Sequence, residues 1–136
     1  MRIYCDTCVY RDLLEEGRRN KWLDFGELAL SVFVEVRNKK YKLVVSDWVI
    51  DEFSKYKDKE KLLEFIDSFE QDSIIRIETT TEDKREARKL SPDNYPDALH
   101  VVLAKKANAI YLVTRNIKDF EEFKDLIEIT KPELLP

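Results

Sequence analysis

Four acidic residues each fall just beyond a short apolar run, where a parallel strand would hand over to a helix. Asp6 follows Ile3-Tyr4-Cys5, and Glu52 lies in a helix opened by Ser46, after Leu43-Val44-Val45. Asp97 follows Pro96, a residue suited to a first helical turn, and Asp119 comes shortly after Ile110-Tyr111-Leu112-Val113-Thr114, with Asn116 between. In an open α/β sheet, ligands bind outside the carboxyl ends of the strands. Carboxylates gathered there repel one another, and a hard divalent cation relieves that repulsion. The arrangement points to metal-dependent chemistry on a polyanion.

Each acid also has a plainer use. Asp6 and Thr7 can cap a helix, and Asp97 is a favourable charge in a first helical turn. Asp119 can be a turn residue. Glu52 can be a surface glutamate, although Ile50 and Phe53 put its helix face near the core. Asp51 points about a quarter turn away and is expected to be solvated.

What the chain lacks narrows the chemistry. His100 is the one histidine, so mechanisms that need a histidine acid and a histidine base are closed. One turn after Asp97, it reads as a core histidine or one that orients Asp97 or a phosphate. The two glycines, Gly17 and Gly26, do not sit between a strand and a helix, which removes P-loop and dinucleotide-binding motifs. Cys5 and Cys8 form a C-x-x-C after a strand, the setting of thioredoxin-like redox sites. With one histidine they supply too few soft ligands for zinc.

The elements that position these residues follow from hydrophobic spacing. Strands are expected at Arg2–Cys5, Tyr41–Val45, Ser73–Ile77, Ala109–Thr114 and, briefly, Ile127–Ile129. Helices are expected at Cys8–Glu16, about Trp22–Arg37, after Ser46, around Leu62–Phe69, at Thr81–Leu90 with a capping pattern, and at Asp97–Asn108. Alternating strands and helices predict a single-domain three-layer α/β/α fold over residues 1–136, with a mainly parallel sheet. The helix from Trp22 to Arg37 is apolar nearly all round, which predicts burial on a second side and hence a homodimer.

At 136 residues, 43% hydrophobic and 38% charged, the chain can bury one core. No apolar run reaches membrane-span length and a strand starts directly after Met1, so a cytoplasmic protein with no signal peptide is expected. The net charge of -4 supplies no global pull toward nucleic acid. Phosphate contacts must then be local, and among Arg11, Arg18, Arg19, Lys21, Lys55, Lys105 and Arg115 the first candidates are Arg11 and Arg115, nearest the acids.

Ile3-Tyr4-Cys5-Asp6-Thr7, Val45-Ser46-Asp47-Trp48-Val49-Ile50-Asp51-Glu52, Pro96-Asp97-Ala98-Leu99-His100 and Leu112-Val113-Thr114-Arg115-Asn116-Ile117-Lys118-Asp119-Phe120 together resemble the PIN-domain family, and within it the VapC-type toxin ribonucleases. The four stretches keep the family's order across nearly the whole chain. The resemblance implies a Mg2+- or Mn2+-dependent endoribonuclease acting on RNA, with an antitoxin protein as partner. It makes Asp6, Glu52 and Asp97 the first three metal-binding acids. The fourth falls on Asp119 or on Asn116, where the family often has aspartate. Two alternatives stand beside it: a thiol-disulfide oxidoreductase using Cys5 and Cys8, and a catalytically weak PIN-like binding module.

Overall fold

The computed structural model describes residues 1–136. Five strands, β1 (Arg2–Cys5), β2 (Lys42–Ser46), β3 (Ile74–Ile77), β4 (Tyr111–Val113) and β5 (Glu128–Thr130), form one sheet in the order β3-β2-β1-β4-β5. Every pairing is parallel, with Tyr4 opposite Val44 on one side and Leu112 on the other. The inner strands are accordingly apolar on both faces: Ile3, Tyr4, Cys5, Leu43, Val44 and Val45 are all buried.

Seven helices connect them: α1 (Thr7–Leu14), α2 (Phe25–Arg37), α3 (Asp47–Ser54), α4 (Lys59–Asp67), α5 (Thr81–Leu90), α6 (Tyr95–Lys106) and α7 (Ile117–Phe120). Helix α1 packs on α2, α3 and α4, and α5 packs on α6. Strand order reverses at β1, so right-handed crossovers send helices to opposite faces and give three layers. No helix is long and apolar enough to cross a membrane.

The sequence marks the helix ends clearly. Ser46 caps α3 by accepting from the Val49 N–H, and Thr80 with Asp83 forms a reciprocal capping box on α5. Helix α2 starts at Phe25, not near Trp22, because the Asp24 carboxylate captures the Gly26 and Glu27 N–H groups and fixes the first turn there. Trp22 therefore lies outside the helix and is 82% exposed. The helix buries Ala29, Val32, Phe33 and Val36 and leaves Leu30 and Val34 outward. Gly26 lets this helix start against α1, since a Cβ there would stand 3.0 Å from the Asp12 carbonyl. The strands differ from expectation by one or two residues at their ends, where pairing rather than hydrophobicity sets the limit.

Candidate functional site

β1 lies between β2 and β4, and its carboxyl end is the point where strand order reverses. Asp6 emerges there, its own N–H bonded to the Val113 carbonyl at 2.9 Å. It occupies the N-cap position of α1, yet its side chain makes no cap bond. Oδ2 instead accepts from the Thr114 hydroxyl at 2.9 Å and the Cys8 thiol at 3.2 Å. Oδ1 faces His100 Nε2 at 3.4 Å. The carboxylate is thus turned away from the helix that it begins, toward Thr114 and His100.

Glu52 arrives from α3. Its Oε1 accepts from Thr7 Oγ1 at 2.6 Å and from His100 Nε2 at 2.6 Å. Burial raises the Glu52 pKa, but the His100 and Thr7 hydrogen bonds and the His100 and Lys55 charges outweigh it, and the net direction is down. Behind His100 the hydrogen bonds continue inward: Nδ1 meets Tyr4 OH at 2.7 Å, and Tyr4 OH meets Ser46 Oγ at 2.7 Å. Neutral His100 accepts from Tyr4 at Nδ1; protonated His100 donates there, and the two hydroxyls turn round. Burial pushes the His100 pKa down, while the Glu52 hydrogen bond and the Asp6, Glu52 and Asp97 charges push it up and win.

Donor atoms of Asp6, Glu52 and His100 lie within 4.8 Å of one another. Both ring nitrogens of His100 are already committed, to Tyr4 and Glu52, so the ring fixes Glu52 and leaves the carboxylate oxygens as the candidate ligands. The spacing of His100 suggests a core histidine or one that orients Asp97 or a phosphate; it is a fully buried histidine, and the side chain that it orients is Glu52, across 48 residues.

Asp97 stands half-buried in the first turn of α6. Its pKa is raised to about 7 by burial and by the Asp6, Asp119 and Glu52 charges, against a lowering by His100. The donor atoms that converge are those of Asp6, Glu52 and His100; Asp97 and Asp119 stand outside that group, and Asp97 senses it through charge. Asp119 is exposed at its rim in α7, and Asn116 precedes α7 half-buried, its N–H bonded to Thr114 Oγ1 at 3.0 Å.

Arg11 and Arg115, the first candidates for phosphate contact, are already paired. Arg115 binds Asp12 through Nε at 2.8 Å, and Arg11 binds Glu15 at 3.0 Å. Asp12 and Thr114 had no assigned role in the sequence and Thr7 only that of a helix cap, although Thr7 adjoins Asp6 and Thr114 follows β4 at the level of Asp6. The C-x-x-C pair is buried as two free thiols, and burial followed by the Asp6 charge pushes both thiol pKa values up. That is opposite to the lowered pKa a redox thiol needs.

Known structures share this architecture. A chain of the VapBC2 complex from Rickettsia felis, bound to a DNA fragment from its promoter, superposes with a TM-score of 0.63 at 20% identity, over 96% of this chain and 98% of that one. The fold is that of the VapC-type PIN-domain toxins. FitAB bound to the IR36 DNA fragment gives a TM-score of 0.60 at 15% identity, covering 98% of this chain and 97% of that one. VapC20 of Mycobacterium tuberculosis, a toxin that cleaves the sarcin-ricin loop, gives 0.56 at 12% identity, over 81% and 86%. No protein-family model matches the chain, and no curated protein matches it. The PIN-type fold accounts for the position of the acids: its reversed sheet gathers the ends of β1, β2 and β4 with the start of α6.

Proposed function

We propose that this protein is a Mg2+- or Mn2+-dependent endoribonuclease and the toxin of a toxin-antitoxin pair, working in the cytoplasm. The observation that carries this reading is the convergence of Asp6 and Glu52 with His100 at the carboxyl end of β1, beside an Asp97 carboxyl whose pKa is raised to about 7 by burial and then by the neighbouring acids. A cluster that suppresses its own ionisation fits a hard cation, and its donors are oxygens, as such ions require. Asp6, Glu52 and Asp97 would hold the ion, with Asp119 and Asn116 at the rim. When bound, it supplies a water of lowered pKa and stabilises charge on the scissile phosphate.

The chain's own contribution is orientation. Thr114 and Cys8 hold one oxygen of Asp6, while Thr7 and His100 hold one oxygen of Glu52, so each acid keeps its second oxygen for the cleft. Asp97 holds a proton near neutrality until positive charge enters. Tyr4 and Ser46 keep His100 satisfied in either protonation state. Incubating purified protein with RNA and Mn2+ or with a chelator tests the activity; chelator-insensitive cleavage, or none with either metal, would reject it.

An antitoxin partner is proposed by analogy with the VapBC2 and FitAB complexes. A homodimer is proposed from Trp22, Leu23, Leu30 and Val34, apolar side chains left uncovered on and beside α2. Sedimentation at micromolar concentration that shows only monomer would remove the dimer. Since Asn116 brings no charge to the fourth position, a weak PIN-like binding module is the second reading; feeble Mn2+ binding would favour it.

A further inference from the structure

Helix α3 and the turn continuing it carry Trp48, Glu52 and Tyr56 four residues apart. That spacing sets the three side chains on one stripe, each about 6 Å further along the axis. Helix α1 runs beside the stripe in matching steps. Thr7 reaches Glu52 at 2.6 Å, and Arg11, one turn on, lies over the Tyr56 ring at 3.7 Å from its centroid. The Tyr56–Arg11 stack therefore stands one helical turn from the Glu52 edge of the acidic cluster.

The two aromatics on the stripe differ in availability. Trp48 is half-buried, donates its indole N–H to the Pro96 carbonyl at 3.2 Å and meets Tyr95 edge-on, so it acts as a wall. Tyr56 is 59% exposed, and Arg11 covers one face only. Glu15 holds that guanidinium in place at 3.0 Å. Beyond Arg11 opens a polar cleft of about 550 Å³ lined by Arg11, Arg18, Lys57 and Lys61 against Glu15 and Glu16. Basic groups outnumber acidic ones there, although the chain as a whole has a net charge of -4.

Acids, an exposed ring backed by a fixed cation, and a cationic cleft thus follow one another. Single-stranded nucleic acid is bound by this combination, with bases stacked on aromatic faces and phosphates tracked by basic groups. Resting on the ribonuclease reading above, we infer that Tyr56, backed by Arg11, stacks the unpaired base next to the phosphate being cut, and that Lys57 and Lys61 take the phosphates beyond. Paired bases offer no free face, so the arrangement selects unpaired RNA.

The test uses a fluorescein-labelled, unpaired 12-nucleotide RNA of mixed sequence and its duplex, with anisotropy read in Mg2+ on the Asp6→Asn protein, which should not cut. Adding Tyr56→Ala should weaken binding of the unpaired RNA about tenfold or more. Tyr56→Phe, which keeps the ring, should bind like its parent, and neither change should affect the duplex. In the chain with Asp6 intact, Tyr56→Ala should raise KM more than it lowers kcat. Unchanged binding in Tyr56→Ala, or equal loss in Tyr56→Phe, overturns the stacking assignment while leaving the ribonuclease reading in place. If the Asp6→Asn parent binds neither RNA and the wild type cuts none, both fall together.

Discussion

Two buried aspartates six residues apart in sequence have opposite surroundings. Asp12, on α1, is 3% exposed and fully answered: Arg18 binds one carboxylate oxygen at 2.7 Å, and Arg115 binds the other at 2.8 Å. Asp6, at the foot of the same helix, is 6% exposed and has no arginine or lysine partner. It shares a single histidine with Glu52, and its charge helps raise the Asp97 pKa. Asp12 fastens the segment after α1 and the end of β4 to one helix, and Arg115 then stacks on Phe25 at 4.0 Å to seat the start of α2. Burial of a carboxylate marks neither acid as functional; the missing counter-charge separates them.

Exchanging the charges is the strongest way to break this contrast. Asp6→Asn should abolish Mn2+-dependent RNA cleavage while leaving the metal-free fold as stable as before or more so, because it relieves repulsion. Asp12→Asn should leave the acidic cluster in place but lower stability by about 2–3 kcal/mol, less than for a fully buried pair because both arginines are partly solvated. Urea unfolding and a gel-based cleavage assay on both variants decide it. Cleavage at the wild-type rate by Asp6→Asn would sink the site assignment.

The frustrated end of the comparison should also titrate. The Asp97 carboxyl ionises near 7 in the fold and near 4 in an unfolded chain, so the metal-free folded state holds an extra proton between those values. Its contribution to stability is present below about pH 4 and is lost as pH rises toward about 7. Asp97→Asn should match the wild type in acid and exceed it by about 1–2 kcal/mol above pH 7, a figure discounted for partial exposure. Saturating Mn2+ should erase the advantage. Parallel stability-pH curves for the two proteins would show that Asp97 is not crowded.

Smaller effects belong to the rim. Asn116→Asp adds a negative group beside the cluster and should tighten Mn2+ binding or raise the cleavage rate, about two- to tenfold. Asp119→Asn should lower the rate, by less than Asp6→Asn does. If calorimetry and kinetics both ignore Asp119→Asn, the site has three acids and Asp119 is a turn residue. The smallest change is Tyr10→Phe. Tyr10 has the one buried side-chain oxygen without a partner, so its loss should be neutral or stabilise by up to about 1 kcal/mol.

Much of this was legible in the sequence, because periodicity and caps act locally. The strand-helix alternation, the Ser46 cap and the capping box on α5 follow from residues close along the chain. So does the place of Asp6 at the end of β1; Asp97, by contrast, follows helix α5 and a loop, not a strand, and Glu52 lies within α3. The roles of His100, Asp12, Thr7 and Thr114 were not legible, since each depends on a partner from another element. Arg11 and Arg115 were the first phosphate candidates, but sequence could not show that Glu15 and Asp12 already engage them. Thr7 looked like half of a cap, yet its hydroxyl serves Glu52.

Those long reaches bear on when the site can exist. Thr7 and Glu52 are 45 residues apart, Tyr4 and His100 are 96 apart, and Asp6 and Thr114 are 108 apart. β1, made first, waits between neighbours made later, and contacts of such separation carry the loop-closure cost that slows folding. A chain still emerging from the ribosome and not yet past β4 holds Asp6 and Glu52 but lacks the Thr114 hydroxyl that orients Asp6. Its cutting power, on the function proposed here, arrives only once Thr114, beyond β4, has been made. Fragments divided between α5 and α6 should each be inert and become active only on reassembly.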